Sequence, residues 1–236
     1  AHYREFAINQ QYLASYKRTF ADLHNFDVLA GYESYNLKLQ ELQGSNTKIY
    51  NPTIGELNNA IASPPRVASF TNEYTTMGYL ARVQYDYDEK YFVSASYRRD
   101  ASSRFHPDNR WGNFGSVGLA WLINKENFMS NVNWIDMLKF KASYGIQGND
   151  NLGNYYAYAD QYSVTNSNGD FAVSFSYKGN KDITWETSYA FNTGFDFEFF
   201  GSRLNGTVEY FNRKTVDLLY VHRNCSISHR DRYWLI

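Results

Sequence analysis

The sequence predicts an all-β protein, an antiparallel up-and-down transmembrane β-barrel wall, and three observations lead there. In WETSYAFNTGFDFEF, Trp185 to Phe199, the odd positions carry Trp185, Thr187, Tyr189, Phe191, Thr193, Phe195, Phe197 and Phe199. The even positions carry Glu186, Ser188, Ala190, Asn192, Gly194, Asp196 and Glu198. Successive side chains of a strand point to opposite faces, so one face is an aromatic band and the other is acidic, amide or small. Aromatic residues make up 19% of the 236 residues, with Tyr 22 and Phe 17, yet the mean hydropathy is -0.58. A helical membrane protein needs runs of about 20 apolar residues, and none occurs; a barrel keeps half of every strand in water. The same period of two then recurs along the chain.

Taken in order, Phe6 to Lys17 sets Phe6, Ile8, Gln10, Tyr12, Ala14 and Tyr16 against Asn9, Gln11, Ser15 and Lys17, with Leu13 out of place on the polar side. Phe26 to Tyr35 alternates Phe26, Val28, Ala30 and Tyr32 with Asp27, Gly31 and Glu33. Leu37 to Thr71 loses the period, and its NPT and SPP strings predict a long loop with a short helical turn near Leu37 to Leu42. Tyr79 to Tyr87 and Tyr91 to Arg98 are strands around a DYDEK turn. Ser116 to Ile123 and Leu138 to Gln147 follow, joined by a connection from Asn124 to Asp136 that is longer than a barrel turn requires. Gln147 to Thr184 is a second long loop, in which FAVSFSY reads as a strand beyond the membrane. The Trp185 to Phe199 strand turns at Phe200-Gly201-Ser202, where Gly supplies the positive φ a hairpin needs, into Arg203 to Arg213. About eight strands result. If short turns and long loops segregate to opposite ends, Leu37 to Thr71, Arg99 to Arg110 and Gln147 to Thr184 all face outside.

Composition narrows the function. A net charge of -1 gives no basic patch for nucleic acid. One cysteine, Cys225, precludes an internal disulfide framework. Ala1-His2-Tyr3-Arg4 has neither a charged n-region nor an apolar h-region, so the chain is read as a fragment. His222, Cys225 and His229 lie close in the tail, but a zinc site needs three or four converging ligands and no clear fourth is present. The Asp86-Tyr87-Asp88-Glu89 carboxylates sit in a turn, where solvation explains them better than acid/base work. No GxSxG, GxxxxGK or HExxH string occurs, so neither an enzymatic activity nor a cofactor is expected. After Tyr220 the periodicity stops, and residues 221–236 read as an unrelated end, a shifted frame or a truncated gene.

Three ordered segments carry a family resemblance: YRRDASSRFHPDNRWG (Tyr97 to Gly112) with GLAW (Gly118 to Trp121); LKFKASYGIQGNDNLGNY (Leu138 to Tyr155); and WETSYAFNTGFDF with RLNGTVEYFNRKTVDLL (Arg203 to Leu219). Together they resemble the SusC/RagA branch of TonB-dependent outer-membrane receptors over roughly residues 6–220. Ala101 and His106 stand where that family usually has Gly. The resemblance implies a sector, an open curved sheet, of a barrel of about 22 strands with a plug in its lumen. It also implies an outer membrane of the Gram-negative type, an oligosaccharide or peptide cargo, a SusD-like surface lipoprotein lid, and energy from TonB, whose contact falls in segments outside this chain.

On that reading residues 1–220 are barrel wall, the aromatic stripes lie in lipid, and Arg82, Gln84, Asp86, Lys139, Lys141, Glu186, Asp196 and Glu198 face the lumen or plug. Asn149, Asp150, Asn151, Asn154, Tyr155, Tyr156, Tyr158 and Tyr162 are the candidates for cargo binding, because rings stack on sugar C–H faces and amides bond hydroxyls. The plainer alternative is that these rings pack the loop or join the outer aromatic girdle. Arg98, Arg99, Asp100 and Arg104 are read as an ion-pair cluster tying a loop to the rim. Two other readings remain at this point. One is a closed eight-stranded barrel with Lys139 and Lys141 paired to Glu186 and Glu198 inside it; the other is a soluble carbohydrate-binding β-sandwich.

Overall fold

A computed structural model describes residues 1–60, 66–167, 169–223 and 233–235. Eight long strands dominate it: β1 (His2–Phe20), β2 (His24–Ser45), β3 (Arg66–Tyr87), β4 (Tyr91–Ser102), β5 (Trp111–Leu122) and β6 (Ile135–Asn149), then, after a separate hairpin of β7 (Gln161–Ser167) and β8 (Asp170–Tyr177), β9 (Glu186–Phe199) and β10 (Leu204–Val216). The order in the sheet is β1-β2-β3-β4-β5-β6-β9-β10, every pair antiparallel. Among the described residues β1 and β10 each have one strand neighbour, so the sheet is open. It is neither a sealed eight-stranded ring nor two stacked sheets. Two short strands, β11 (Val221–Arg223) and β12 (Tyr233–Leu235), pair with each other; Cys225 and His229 lie outside the described residues.

One end of the sheet carries the tight turns. Ala21 (φ 49) and Asp22 (φ 53) close β1–β2, Asp88 (φ 52) and Glu89 (φ 48) close β3–β4, and Phe200, Gly201 (φ 66) and Ser202 close β9–β10. The Asn124–Asp136 connection ends here too, drawn in by Asn124, whose Nδ2 donates to the Asp136 carbonyl (3.1 Å) and whose Oδ1 accepts from the Leu138 amide (3.3 Å). The Tyr91 hydroxyl and the Trp121 indole both donate to Glu126, so the connection folds back on the strand ends. The opposite end carries residues 46–60, 103–110, 150–167 and 169–185.

The sequence expectation fails at Leu37 to Thr71. In place of a helical turn and a long loop, β2 runs on to Ser45 and β3 begins at Arg66, paired from Ser45↔Arg66 inward without a shift. The alternation there runs in the opposite phase, with Leu37 and Leu39 on the face that carries Asp27 and Glu33, and with Lys38, paired to Glu73 (2.8 Å), on the face that carries Tyr32, so the aromatic stripe does not continue through it. They are strands because the antiparallel ladder continues as far as Ser45 and Arg66. Leu13 finds its reason as well: it lies over Gly31, where a Cβ would come within 2.5 Å of Leu13 Cδ2.

Register sorts the side chains into two faces. One cross-sheet row reads Phe20, His24, Tyr87, Tyr91, Trp121, Phe140, Phe195, Val208, one residue from each strand. Nearer the long loops a second row on the same face reads Tyr12, Tyr32, Tyr79, Arg99, Asn113. Among the described residues, buried apolar side chains by contrast gather at the long-loop end, around Phe105, Leu152, Ala157, Ile183 and Trp185. The sheet itself covers neither of its faces. A compact monomer of this mass exposes about 11,000 Å²; this chain exposes 17076 Å².

The extended β2–β3 ladder is directly testable by cross-linking, with Cys225 replaced by Ser. Gln40→Cys with Thr71→Cys, register partners on one face, is expected to oxidise to a disulfide, because opposed residues of an antiparallel pair have Cα atoms about 4.5–5.5 Å apart. Gln40→Cys with Asn72→Cys, which point to opposite faces, is expected to stay reduced; equal oxidation of both pairs would contradict the register.

Candidate functional site

Rings on the first face form two ladders. At the short-turn end Phe20 meets Phe26 (5.8 Å between centroids), Phe26 meets Tyr85 (4.8 Å), Tyr87 meets Tyr91 (6.3 Å), Tyr91 meets Trp121 (6.3 Å) and Phe140 meets Phe195 (5.2 Å). At the other end Tyr12, Tyr32, Tyr79 and Trp111 follow one another at 6.4, 5.3 and 6.2 Å. Between the ladders the same face carries Ala14, Ala30, Ala81, Val28, Val83, Ala95, Val93, Val117 and Leu119. The separation from Tyr79 to Tyr87 amounts to roughly 26 Å of strand at about 3.3 Å per residue. Reading along one strand shows the alternation but not the ladders, because the rings join only through register.

Register puts Arg82, Gln84, Asp86, Lys139, Lys141, Glu186, Asp196 and Glu198 together on the opposite face, beside Phe92, Leu122 and Met137. A hollow of about 780 Å³ lies over it, lined from Asn25 and Asp27 on β2 to Asn192 on β9 and Glu209 on β10. Strands that far apart can line one hollow only if the sheet curves toward this face. Lys141 sits between Asp196 (2.9 Å) and Glu209, and Thr207 donates to Asp196 (2.8 Å). Asn25 donates to Asp86 (2.9 Å), and Glu198 accepts from the Ser202 hydroxyl (3.0 Å). Glu186 accepts from the Leu219 amide (3.2 Å) and Asn149 (3.4 Å). The pairing of Lys141 with Glu186 or Glu198 expected for a small closed barrel is replaced by this Asp196–Glu209 clasp. Glu209 and Thr207 carry no sequence signal for it beyond their alternation.

At the long-loop end a third arrangement is built on Phe105, fully buried against Trp185 (5.3 Å). The Trp185 indole donates to the Arg110 carbonyl (2.9 Å). Gly179 packs on the Ala159 backbone so closely that a Cβ would meet it at 2.3 Å, and Asp160 there binds Lys178 (2.9 Å) and the Gly179 amide (2.8 Å). Beside this core Asp150 accepts from the hydroxyls of Tyr74 (2.7 Å) and Ser102 (2.6 Å) and faces Arg104 (3.6 Å). The Arg104 guanidinium lies over the rings of both Tyr74 (4.4 Å) and Tyr155 (5.3 Å), which themselves meet at 6.2 Å. Burial first, and then the hydrogen bond to Asp150, push the Tyr74 hydroxyl above the ordinary tyrosine range, so it remains a donor.

The structure therefore gives most of the tyrosine- and asparagine-rich candidates a partner within the chain. Asn149, Asn151 and Asn154 each accept a backbone amide two residues on, from Asn151, Gly153 and Tyr156. Asp150 and Tyr155 are engaged with Arg104, and Tyr158 meets His106 edge-on (6.0 Å). Tyr156, 37% exposed, accepts from the Glu73 amide (3.2 Å), and Tyr162, 60% exposed, meets Phe175 on the β7–β8 hairpin. Tyr74, the key partner of Asp150, lies 76 residues away in sequence and carried no local signal. Of the arginine quartet's residues, Arg98 pairs with Asp100 (2.7 Å) and Glu33 (2.9 Å) on the polar face, and Arg104 with Asp150. Arg99 points to the opposite face. Among the described residues no group of three metal ligands converges.

Comparison with known proteins bears on all three regions. The family model described as TonB dependent receptor-like, beta-barrel, matches residues 2–228. The chain is 35% identical over 217 residues to TonB-dependent receptor P39 of Formosa agariphila, covering 87% of this chain and 20% of that protein. It is 32% identical over 206 residues to TonB-dependent receptor SusC of Bacteroides thetaiotaomicron, covering 83% of this chain and 20% of that one. Among solved structures, that of the RagAB peptide transporter superposes with a TM-score of 0.88 at 27% identity, covering 98% of this chain and 26% of the other. The chain thus spans about a fifth of the length of the relatives it matches.

Replacing Asp150 by Ala strands two hydroxyls and a guanidinium in a largely buried site, at a cost of about 3 kcal/mol. The expected readout is faster amide hydrogen exchange at Phe105, Ala157 and Ile183, with a smaller effect for Asp150→Asn, which retains an acceptor. Unchanged exchange in Asp150→Ala would show that the cluster does not hold the loop.

Proposed function

The chain belongs to the TonB-dependent receptor family as a length of its β-barrel, and on that premise we propose that it is a wall sector of an outer-membrane transporter importing oligosaccharides or peptides. The family comprises transport receptors rather than enzymes. The observation that carries the proposal is the pair of ring ladders bracketing an aliphatic band on one face, with charge confined mainly to the other. Barrels of the outer membrane present an apolar band about 25 Å tall between aromatic girdles, with a polar interior. A transmembrane strand crosses hydrocarbon in about 9–11 tilted residues, so β1, β2 and β3 extend well beyond it on the long-loop side.

In this reading Arg82, Lys139, Lys141, Asp196 and their neighbours face the lumen and plug, and the long loops face outside. The missing strands of the wall continue the ladder from β1 and β10, which removes two unpaired edges. A SusD-like lipoprotein covers the outer mouth and TonB acts through parts of the receptor beyond this chain. Of the eight loop candidates, Tyr156 and Tyr162 keep the most ring surface open and are the residues proposed to touch cargo. One solved neighbour is a peptide transporter, and one relative bears the name SusC; both cargo classes suit exposed tyrosines.

Two adjacent positions of β3 test the membrane reading. Val83→Lys, on the aromatic face, is expected to destabilise the bilayer-inserted protein by about 2–4 kcal/mol, whereas Gln84→Lys, on the polar face, changes stability by less than about 0.5 kcal/mol. Equal sensitivity would contradict it. Transport is tested by uptake of labelled oligosaccharides and of labelled peptides into cells carrying the receptor: one class is expected to enter only when TonB is present, and TonB-independent entry would overturn the assignment.

A further inference from the structure

Arg99 is the one member of the Arg98-Arg99-Asp100-Arg104 group that turns away from the polar face. Its guanidinium stacks on Trp111 at 5.0 Å in the ring ladder of the long-loop end. It is exposed, and among the described residues it has no carboxylate partner. Directly across the strands stand Tyr79 on one side and Asn113 on the other. The Tyr97 hydroxyl donates to Asn113 Oδ1 (2.7 Å), which fixes that amide and leaves its NH₂ free to donate. Tyr79, Tyr97 and Trp111 are themselves partly open, at 53, 52 and 39%.

The surroundings of Arg99 therefore offer more donors than acceptors and no carboxylate: five guanidinium N–H groups, the Asn113 NH₂ and the Tyr79 hydroxyl. A cation on a lipid-facing strand is costly at mid-bilayer and tolerated at the interface. What completes such a set is a compact anion with several acceptor oxygens, for which a guanidinium fork is matched. We propose that Arg99, Trp111, Asn113 and Tyr79 form a binding site for the phosphate of a lipid headgroup in the outward-facing leaflet. The acyl chains of that lipid run down the aliphatic band past Ala81, Val93 and Val117, and the Trp111 ring fixes the guanidinium at headgroup height. The site rests on the membrane reading above, which supplies the lipid, but not on any cargo.

The test uses the intact receptor that contains this chain, in octyl glucoside micelles with equimolar phosphatidic acid and phosphatidylcholine of matched chains, retained lipids being counted by native mass spectrometry. The wild type is expected to retain phosphatidic acid over phosphatidylcholine by about five-fold, the size of effect a single interfacial cation gives. Arg99→Gln is expected to abolish the preference, Arg99→Lys to keep part of it, and Arg82→Gln, on the other face, to leave it intact. Equal retention of the two lipids by the wild type, or an unchanged preference in Arg99→Gln, would overturn the site. Displacement of the lipid by an equal concentration of inorganic phosphate would also overturn it, by assigning the pocket to a soluble anion. Retention of neither lipid would instead sink the membrane reading on which the site stands.

Discussion

The whole molecule depends on the requirement that backbone N–H and C=O groups removed from water be paired. In hydrocarbon an unpaired peptide group costs several kcal/mol, which leaves a closed strand ladder as the only non-helical way across. Here the ladder is kept over eight strands with a single register irregularity, at Ile135/Met137, on the short-turn side. An unbroken register has a consequence for side chains. Because the pleat has a period of two, a slip of one residue anywhere would carry rings into the polar face and charges into the apolar one. The separation of Phe195 from Asp196, repeated from β1 to β10, is thus a property of the ladder rather than of any strand alone.

The stabilising interactions divide accordingly. The sheet has no apolar core, so its apolar surface is covered only by what adjoins it. On the polar face the Lys141–Asp196–Glu209 clasp and the Arg98–Asp100–Glu33 group balance charge locally. Such half-exposed pairs contribute little individually; their role is to let charged side chains share one concave surface without repulsion. The true core lies at the long-loop end, where Phe105 and Trp185 join two of the loops and the Asp150–Arg104 pair sits beside them. Loops anchored to a packed base can hold an exposed residue such as Tyr156 in a fixed place, which is what recognition at a barrel mouth requires.

Much of this was legible in the sequence. Alternation located a part of each of the eight long strands, and Gly201 marked its turn. The far parts of β2 and β3 were not legible, because the aromatic stripe ends at Tyr32 and Tyr79 and the residues beyond reverse its phase, Leu37 and Leu39 standing on the opposite face from the rings and Lys38 and Gln40 on theirs. The composition of Asn149 to Tyr162 pointed to recognition, yet Asp150 and Tyr155 are joined to Tyr74, Ser102 and Arg104, partners brought in by the fold from distant strands. The string Arg98 to Arg104 read as one cluster and is in fact split between two faces, since adjacent residues of a strand cannot share one. The ring ladders, too, become visible only once register is known.

The account stands on which face of the sheet meets lipid. The most direct measurement is a nitroxide scan of residues 190–197 on β9 in a lipid bilayer, comparing collisions with oxygen, which concentrates in hydrocarbon, and with a water-soluble nickel chelate. Labels at 191, 193, 195 and 197 are expected to favour oxygen and those at 190, 192, 194 and 196 to favour the chelate or be shielded from both. A scan without that period of two, or with its phase reversed, would contradict the assignment of the aromatic face to the membrane.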